Sequence, residues 1–456
     1  MRKIKQKDKE YLIHEKPLKA LLVFAFPMII GNLFQQFYTM ADSVVVGRYV
    51  SENALAAVGA SYSLTNVFIC IAVGGGVGAS VVTSRYFGAR EYEKMKQSVS
   101  TALLSFLAMS IVLGIFGFFA GKEIMRLLNT PRDILEMSSE YLNIYFLGLP
   151  FLFMYNVLSA MFNAIGRSQI PLYLLIFSSV LNIILDVYMV CSLRLGVAGV
   201  AWATLIAQGI SAVISFILFQ REMAAYSTGK RKAFSGEELK SMAKIAFPSI
   251  LQQSTVAIGM MLVQSVVNSF GTEMLAGFSA AMRVESICVV PMMAMGNAIS
   301  AYTAQNIGAD EYKRIQKGYH TANGMVAFFA VLICALLEIF HSGIVSLFLG
   351  DDGTRLALQT GAAYLKFMGW FFVLLGLKMV TDGLLRGAGD MKMFTVANIV
   401  NLTIRVCIAV IMAPRYGIEM VWFAVPIGWF VNLVISFAQY RTGNWKRISN
   451  PKECSC

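Results

Sequence analysis

The chain repeats itself along its length, and the second copy follows the first at an almost constant offset. Three pairs of short segments match, spread over the length of each half. They are Ala25-Phe26-Pro27 with Ala246-Phe247-Pro248, Gly88–Lys94 with Gly308–Arg314, and Val213–Phe216 with Val434–Phe437. A chain made of two similar halves is expected to fold into two similar structural units. In membrane proteins, internal repeats of this kind are typical of transporters that move one half against the other.

The composition places both halves in a membrane. Of the 456 residues, 57% are hydrophobic and only 14% are charged, and the mean hydropathy is +0.64. Soluble proteins carry roughly 25% charged residues, so this chain lacks the polar surface that water contact on all sides requires. Apolar stretches of roughly 20 residues or more recur along it, which is long enough for helices that cross a bilayer. We therefore predict an all-α polytopic membrane protein.

We predict twelve transmembrane helices, six in each half. In the first half they cover residues 18–46, 53–84, 97–120, 135–162, 170–191 and 197–220. In the second half they cover residues 241–268, 274–304, 318–341, 357–384, 393–413 and 418–440. The predicted domains are a six-helix lobe over 1–220, a polar linker over 221–240, a second six-helix lobe over 241–440 and a tail over 441–456. Because six is an even number, both lobes have the same orientation and form a parallel, pseudo-symmetric repeat around a central cleft.

The basic residues give the orientation of the chain. The net charge is +12, and most of the 38 Lys and Arg residues lie in the N-terminal segment, the 221–240 linker and the other segments on that side of the membrane. This asymmetry follows the positive-inside rule and predicts that both termini and the linker are cytoplasmic. It also argues against a nucleic-acid partner, because the charge is distributed as a membrane orientation signal. No cleavable signal peptide is evident, since the first apolar run is too long.

Two acids lie deep in the predicted helices of the first lobe. Asp42 lies about four residues before the outer end of the first span, and Asp186 about five residues before the outer end of the fifth span. Asn182 is one helical turn from Asp186 on the same face. Thr204 lies about seven residues into the sixth span, which runs in the opposite direction, so it reaches the same depth. We predict that these four side chains form one site.

Such a site could bind a coupling ion. Neighbouring carboxylates in a low-dielectric pocket exchange protons readily, and carboxylate, amide and hydroxyl oxygens also suit Na⁺. Tyr38 and Gln35 lie one and two turns before Asp42 and are predicted to support the site. The alternative is that Asp42 lies at the water interface and that Asp186 bonds a neighbouring helix. Charged residues inside spans cost roughly 3 kcal/mol each, which favours a functional role.

The second lobe lacks this arrangement. By the repeat offsets, the two acids of the first lobe correspond to Gln264 and Arg405. Arg283, Glu285, Lys366 and Arg405 are predicted to lie at a similar depth. Together with Gln264, they are predicted to support the site or to line the substrate cleft. They could pair internally, with Glu285 bonded to one or two of the bases, or they could form an electropositive wall that favours anionic or zwitterionic groups on a substrate.

Two further features have structural interpretations. The segment Gly74–Gly78 resembles a phosphate-binding loop but lies inside an apolar helix with no strand before it, so close helix packing explains it better. Lys378 and Asp382 are four residues apart in the tenth span and are predicted to form an ion pair.

The chain resembles the multidrug and toxic compound extrusion (MATE) family of secondary transporters of the MOP flippase superfamily. The first-half motifs that carry the resemblance are Ala25–Pro27, Met40–Ser43 with Val46-Gly47, Gly88–Arg90, Gly166–Ser168 with Pro171, Asn182 with Asp186, and Gly196–Thr204. In the second half, Arg386–Asp390 is similar to the family's loop after helix 10. Asp42 matches the helix-1 acid of the family, and Asn182, Asp186 and Thr204 match the ion-site residues of its DinF-like branch. Another branch relies on a glutamate in helix 7, where this chain has Gln264.

The resemblance implies an antiporter in the bacterial plasma membrane that exports organic, amphipathic or cationic compounds. It implies H⁺ or Na⁺ entry as the driving force and no other cofactor, with Na⁺ bound, if at all, at the four first-lobe residues. It also implies function as a monomer among membrane lipids. An alternative is a flippase that moves a lipid-linked or anionic substrate along the basic second lobe. An enzyme is not expected, because the chain has no H-E-x-x-H or G-x-S-x-G motif. The sequence leaves open the natural substrate and the choice of H⁺ or Na⁺.

Overall fold

The structure is a computed structural model that describes residues 10–226, 233–349 and 354–449. These residues form α-helices and short connections, with no β-strand among them. Helices are the expected solution for this composition, because the bilayer offers no water to bond an exposed backbone N–H or C=O group. Parts of the predicted linker and tail, including residues 227–232 and 450–456, lie outside the described residues.

Among its described residues, the first half contains seven α-helices. They are α1 (Tyr11–His14), α2 (Pro17–Tyr49), α3 (Glu52–Gly88), α4 (Tyr92–Leu127), α5 (Arg132–Ala164), α6 (Gln169–Val187) and α7 (Gly196–Ala224). A π-helical turn over Tyr188–Ser192 extends α6. The short helix α1 precedes the first long apolar helix, and the other six correspond one to one to the six predicted spans.

The described part of the second half contains nine α-helices, of which two pairs each correspond to one predicted span. They are α8 (Gly236–Asn268), α9 (Thr272–Cys288), α10 (Val290–Gly308), α11 (Tyr312–Leu349), α12 (Arg355–Gly369), α13 (Phe372–Gly387), α14 (Met391–Tyr416), α15 (Glu419–Thr442) and α16 (Asn444–Ser449). Helices α9 and α10 together form one long apolar stretch, Thr272–Gly308.

The number and type of the spans agree with the prediction. Within the described residues, eleven stretches are long and apolar enough to cross a membrane, and α12 with α13 makes a twelfth if the bent pair is one span. The sequence suggested a continuous helix over 357–384, whereas the structure bends it by 53° between Gly369 and Phe372. The break follows Gly369, and glycine has the lowest helix propensity of any residue except proline.

The two halves share turn geometry as well as sequence. Arg90 and Asp310, which follow α3 and α10 at matched positions of the repeat, have φ angles of 58° and 57°. Gly166 and Gly389, which follow α5 and α13, have φ angles of 78° and 70°. Left-handed backbone conformation at a residue after a helix C-terminus is a common way to end the helix. Recurrence of the same rare conformation at matched positions confirms that the halves are built alike.

The chain forms two compact units whose boundaries fall inside two helices. One unit comprises Met1–Ile29 and Leu251–Cys456, and the other comprises Ile30–Ile250. Helices α2 and α8 therefore each contribute to both units. In both helices a proline, Pro27 or Pro248, lies two residues before the division. Proline removes a backbone hydrogen bond and weakens a helix at that point. The predicted lobe boundaries at 220 and 241 stay a prediction.

In the unit Ile30–Ile250, the glycines of α3 allow the beginning of α8 to pack directly on the backbone of α3. A Cβ atom on Gly78 would lie 2.6 Å from the backbone nitrogen of Ala246, and one on Gly74 would lie 2.6 Å from the Cα atom of Ile250. Nearby, the Tyr86 hydroxyl donates to Glu238 at 2.8 Å. The glycine-rich segment is thus a helix-packing surface, as the sequence indicated.

In the other unit, the chain before α2 packs into the core of the second half. Leu12 and Phe24 are at most 1% exposed and belong to one apolar cluster with Trp445. The Asn306 amide donates to the backbone oxygen of Leu12 at 3.1 Å. The Trp445 ring stacks on Tyr440, with ring centroids 6.1 Å apart. The beginning of α2 is therefore part of the second-half core.

Candidate functional site

The two predicted acids of the first lobe come together. Asp42 on α2 and Asp186 on α6 have carboxyl groups close enough to interact as hydrogen-bonding partners. Asp186 is fully buried, and the Oδ1 atom of each carboxyl group is buried without a hydrogen-bond partner. Two adjacent carboxylates repel each other when both are ionised, so this pair gains stability when a cation or a proton binds to it.

Asn182 joins the acids to their neighbours. In the amide orientation that satisfies both ends of the side chain, Nδ2 donates to Asp186 Oδ2 at 3.1 Å and to the Tyr38 hydroxyl at 2.7 Å. Its Oδ1 atom accepts from the backbone nitrogen of Thr204 at 3.1 Å. Asn182 is only 2% exposed. The structure therefore brings Asp42, Asp186, Asn182, Thr204 and Tyr38 into one polar cluster, which we call the acid site.

Tyr141 on α5 also belongs to the acid site, although the sequence reasoning missed it. It is close enough to both carboxyl groups to interact with them electrostatically. Residue counting placed at this depth only residues on the helices that carry the acids and on their immediate partners. The repeat offered a signal, because a tyrosine recurs at matched positions of the two halves. Tyr141 in the first half and Tyr364 in the second are separated along the chain by the same number of residues as Gly166 and Gly389.

An apolar cluster covers one side of the acid site. It consists of Val46, Ala54, Val190, Val197 and Val200, all at most 5% exposed. Val46 and Val190 follow the two acids by one helical turn, and Val200 precedes Thr204 by one turn. The cluster excludes water from the side of the site that faces the connections after α2 and α6.

A small cavity lies on the other side, one turn further along α5 and α7. Its volume is about 10 Å³, and a space of roughly that size holds one water molecule. Its lining residues are Tyr141, Tyr145, Gly148, Ala201, Thr204, Leu205 and Gln208. The acid site thus has an apolar face and a face with polar groups.

The helix that carries Asp186 is irregular just beyond it. Residues Tyr188–Ser192 form a π-helical turn, and Arg194 has a φ angle of 55°. Single π-helical turns within or at the end of α-helices are frequent at functional sites, because the extra residue per turn re-aims nearby side chains. The irregularity is therefore consistent with a functional role for Asp186.

Two predicted supporting residues do not join either site. Gln35 is exposed on α2, its side chain has no hydrogen-bond partner among the described residues, and its backbone oxygen accepts from the Thr39 hydroxyl at 2.9 Å. Gln264 on α8 donates its amide to Asn268 at 3.4 Å and is partly buried. Both lie at suitable depths, but neither side chain forms a hydrogen bond with a residue of the acid site.

The four charged residues predicted together in the second lobe separate into two groups. Glu285 accepts a hydrogen bond from the Tyr364 hydroxyl at 2.5 Å and interacts electrostatically with Arg405. Lys366 instead pairs with Glu338 on α11 at 3.3 Å. Arg283 is exposed. The continuous electropositive wall considered above is therefore reduced to Arg405, which has one carboxylate nearby.

Lys378 and Asp382 form the predicted ion pair, with Nζ and Oδ2 atoms 3.2 Å apart and both side chains 3% exposed. Asp382 also accepts from Ser436 at 2.7 Å and from the Asn398 amide at 3.4 Å. Buried charges need such partners, because an unpaired charge inside a protein costs several kcal/mol. The pair joins helices α13, α14 and α15.

Comparison with known proteins identifies the family. A family model described as MatE matches residues 27–188 and, a second time, residues 248–411. The chain belongs to the MatE family. The two matched regions lie one in each half, which agrees with the internal repeat.

Named relatives cover nearly the whole MatE chain. It is 29% identical over 433 residues to the probable multidrug resistance protein YpnP of Bacillus subtilis (strain 168), and the match covers 94% of this chain and 96% of the relative. It is 24% identical over 420 residues to the multidrug export protein MepA of Staphylococcus haemolyticus (strain JCSC1435), covering 91% and 92% of the two chains.

Solved structures show the same fold. A multidrug resistance MATE family transporter of the MOP superfamily, described in an outward-facing conformation, has a TM-score of 0.88 at 25% identity, covering 97% of this chain and 98% of the other. A MOP superfamily transporter from Pyrococcus furiosus, described as having a binding pocket of reversed polarity, has a TM-score of 0.89 at 24% identity, covering 97% and 98% of the chains. This MatE chain is thus a multi-pass membrane transporter and not an enzyme. Its assignment to the DinF-like branch stays a prediction.

Proposed function

We propose that this protein exports organic compounds of amphipathic or cationic character in exchange for H⁺ or Na⁺ that enters the cell. The multidrug names of its relatives support the substrate class. The observation that carries the proposal is the acid site, with two facing carboxyl groups that each retain a buried oxygen without a partner. Such a pair binds one H⁺ or one Na⁺ with a gain in stability, which a downhill ion gradient can use.

The helix that carries Asp42 offers a route from ion binding to conformational change. Helix α2 belongs to one compact unit up to Ile29 and to the other from Ile30, and Pro27 lies just before the division. A change of charge at Asp42 alters its interactions with Asp186 and Tyr38 on the Ile30 side. The same helix is then the element through which the change reaches the core that contains Phe24.

Transport in proteoliposomes tests the proposal. We would load them with a fluorescent lipophilic cation and impose a pH gradient or a Na⁺ gradient separately. The wild-type protein is expected to move the cation against its gradient under one of the two, which identifies the coupling ion. Asp42→Asn and Asp186→Asn should each abolish this coupled movement, because an amide neither releases a proton nor carries the charge that binds Na⁺.

A matched control uses the same substitution elsewhere. Asp133 is an exposed carboxylate in the first turn of α5, and Asp133→Asn should transport like the wild type. Coupled export at the wild-type rate by Asp42→Asn protein would refute the role of the acid site. Equal loss in Asp133→Asn would show that the assay reports damage to the protein rather than loss of ion coupling.

A second candidate function is movement of an anionic or lipid-linked substrate, which the presence of Arg405 in the second half favours. In that case gene deletion should impair cell-wall or polysaccharide synthesis, and the lipophilic cation should not be transported under either gradient. Transport of the cation together with normal envelope synthesis in the deletion strain would exclude this candidate.

A further inference from the structure

Arg405 has an incomplete set of partners. It occupies the position on α14 that matches Asp186 on α6, and its side chain is partly buried. Its Nε atom is buried and has no hydrogen-bond partner. Glu285 and Tyr364 are near enough to interact with it electrostatically, yet no carboxylate of the described residues forms an ion pair with it within 4.0 Å. A guanidinium group normally uses its N–H groups on a carboxylate or another anion.

Glu285 is already engaged elsewhere. It is 7% exposed, and it accepts the Tyr364 hydroxyl proton in a hydrogen bond of 2.5 Å. The carboxylate therefore lowers the net charge near Arg405 without occupying the hydrogen-bonding position at Nε. The Nε N–H group of Arg405 therefore has no hydrogen-bond acceptor among the described residues.

Trp422 on α15 supplies a second buried donor without an acceptor. The residue is 7% exposed, and its ring packs edge-on against Tyr364, with the ring centroids 5.8 Å apart. Its indole Nε1 atom is buried and has no hydrogen-bond partner. A buried tryptophan N–H is usually bonded, and leaving such a donor without a partner costs about 1–3 kcal/mol.

The packing of α14 on α15 places the two donors at one level. A Cβ atom on Gly428 would lie 2.3 Å from the Asn401 side-chain oxygen, so these two residues are opposite each other. The helices run antiparallel, and a residue four positions after Asn401 is therefore level with one four positions before Gly428. Arg405 is thus level with residue 424, about 3 Å along the helix axis from Trp422.

The first half shows that the fold does not need these donors. By the spacing that relates Val213 to Val434, Trp422 corresponds to Ala201, and the counterpart of Arg405 is Asp186. The same helix pair is therefore built with an acid and a small apolar residue in one half, and with two N–H donors in the other. The pair of N–H donors is therefore found only in the second half and serves a role that the first half does not share.

We propose that Arg405 and Trp422 form a binding site for a small monovalent anion, either inorganic chloride or the carboxylate of a transported compound. A positive guanidinium and a neutral indole N–H suit an anion better than a water molecule, because water would leave the charge of Arg405 without a counter-ion. Glu285 opposes the bound anion and limits its affinity. Anion binding at this site does not depend on the proposed export function. Only the identification of the anion as the carboxylate of a transported compound rests on that function.

Equilibrium binding to the purified full-length protein tests the proposal. Radiolabelled chloride and radiolabelled benzoate would be titrated separately in buffer free of other halides, at constant ionic strength. We expect one saturable site per chain. Arg405→Gln should weaken binding at least tenfold, and Trp422→Phe should weaken it several-fold, because it removes the N–H group and keeps an aromatic ring.

Glu285→Gln is the decisive variant. If Arg405 and Trp422 had only a structural role, this substitution would not strengthen anion binding. Removal of the like charge should strengthen anion binding about tenfold. Arg283→Gln, which changes an exposed arginine two residues away on α9, should bind like the wild type. Binding of chloride alone would identify an inorganic anion as the ligand, and binding of benzoate that chloride does not displace would identify a substrate carboxylate.

Three results would overturn the proposal. They are the absence of saturable binding of either anion to the wild type, unchanged affinity in Arg405→Gln, and unchanged or weaker affinity in Glu285→Gln. Anion binding to the Asp42→Asn protein, measured in the same assay, distinguishes failure of this proposal from failure of the proposed export function. This variant should bind the anion like the wild type, because Arg405 and Trp422 remain intact, even though it should lose coupled export.

Discussion

Substitution of Gly78 by alanine tests the close packing of α3 on α8. The added Cβ atom would lie 2.6 Å from the Ala246 nitrogen, 2.7 Å from the Ala246 Cβ atom and 2.7 Å from the Met242 oxygen. Ordinary contacts begin near 3.4 Å, so the two helices would have to separate by roughly 0.7–0.8 Å. Overpacking of this kind costs about 1–3 kcal/mol, and contact with backbone atoms, which cannot rotate away, places Gly78→Ala near the upper value.

Gly59→Ala is the matched control in the same helix. Nothing lies within 4 Å of a Cβ atom at Gly59. There the substitution should stabilise the protein by up to about 1 kcal/mol, since alanine favours helix more than glycine does. The two variants should therefore differ by about 4 kcal/mol in the free energy of unfolding, although each adds one methyl group to α3.

Heating the purified proteins and measuring the fraction that remains monodisperse by size-exclusion chromatography gives the comparison. Gly78→Ala should lose its native peak at a clearly lower temperature than the wild type, and Gly59→Ala at the same or a higher temperature. A Gly78→Ala protein that is as stable as Gly59→Ala would refute direct packing of α8 on the α3 backbone.

Two further predictions concern buried charges in the second half. Burial raises the pKa of the Asp390 carboxyl, and a hydrogen bond of 2.5 Å from Gln439 only partly opposes this effect. A raised pKa in the folded state means that stability falls as pH rises above about 4, so Asp390→Asn should become progressively more stable than the wild type between pH 4 and pH 7. Equal melting temperatures of both proteins across that range would contradict this prediction. Lys378→Met should destabilise the protein by about 3–5 kcal/mol because it leaves the Asp382 charge unpaired, and Asp382→Asn in the same chain should restore much of the loss. Melting of the single and double variants measures the coupling, and additive losses would show that the pair is not formed.

Depth along a helix could be predicted from the sequence, and this is why the acid site was found. The distance of Asp42 and Asp186 from the ends of their spans follows from residue counting, because every residue advances an α-helix by about 1.5 Å. Asn182 and Thr204 follow from the same count. The length of the apolar runs likewise identified the spans, since a bilayer admits few alternatives to a helix.

Direction around the helix axis could not be predicted in the same way. Lys366 has a suitable depth, but it points to Glu338 on α11, and this depends on which helices are neighbours. Gln35 has a suitable depth as well and is exposed. The bend after Gly369 also depends on tertiary packing, because a glycine within an apolar run is compatible with both a straight and a broken helix.

The division of α2 and α8 between the two compact units has a consequence for how the two-half chain evolved. Each half of the chain contributes the beginning of its first long helix to the core built by the other half, as Phe24 and Ala246 show. An ancestor of half the present length would have had no complete core on its own and would have needed a second copy to supply the missing helix. We infer that gene duplication joined two chains that had folded only as a pair. A fragment that ends at Tyr226 and a fragment that begins at residue 233 should each be degraded when expressed singly, and both should persist when they are expressed together.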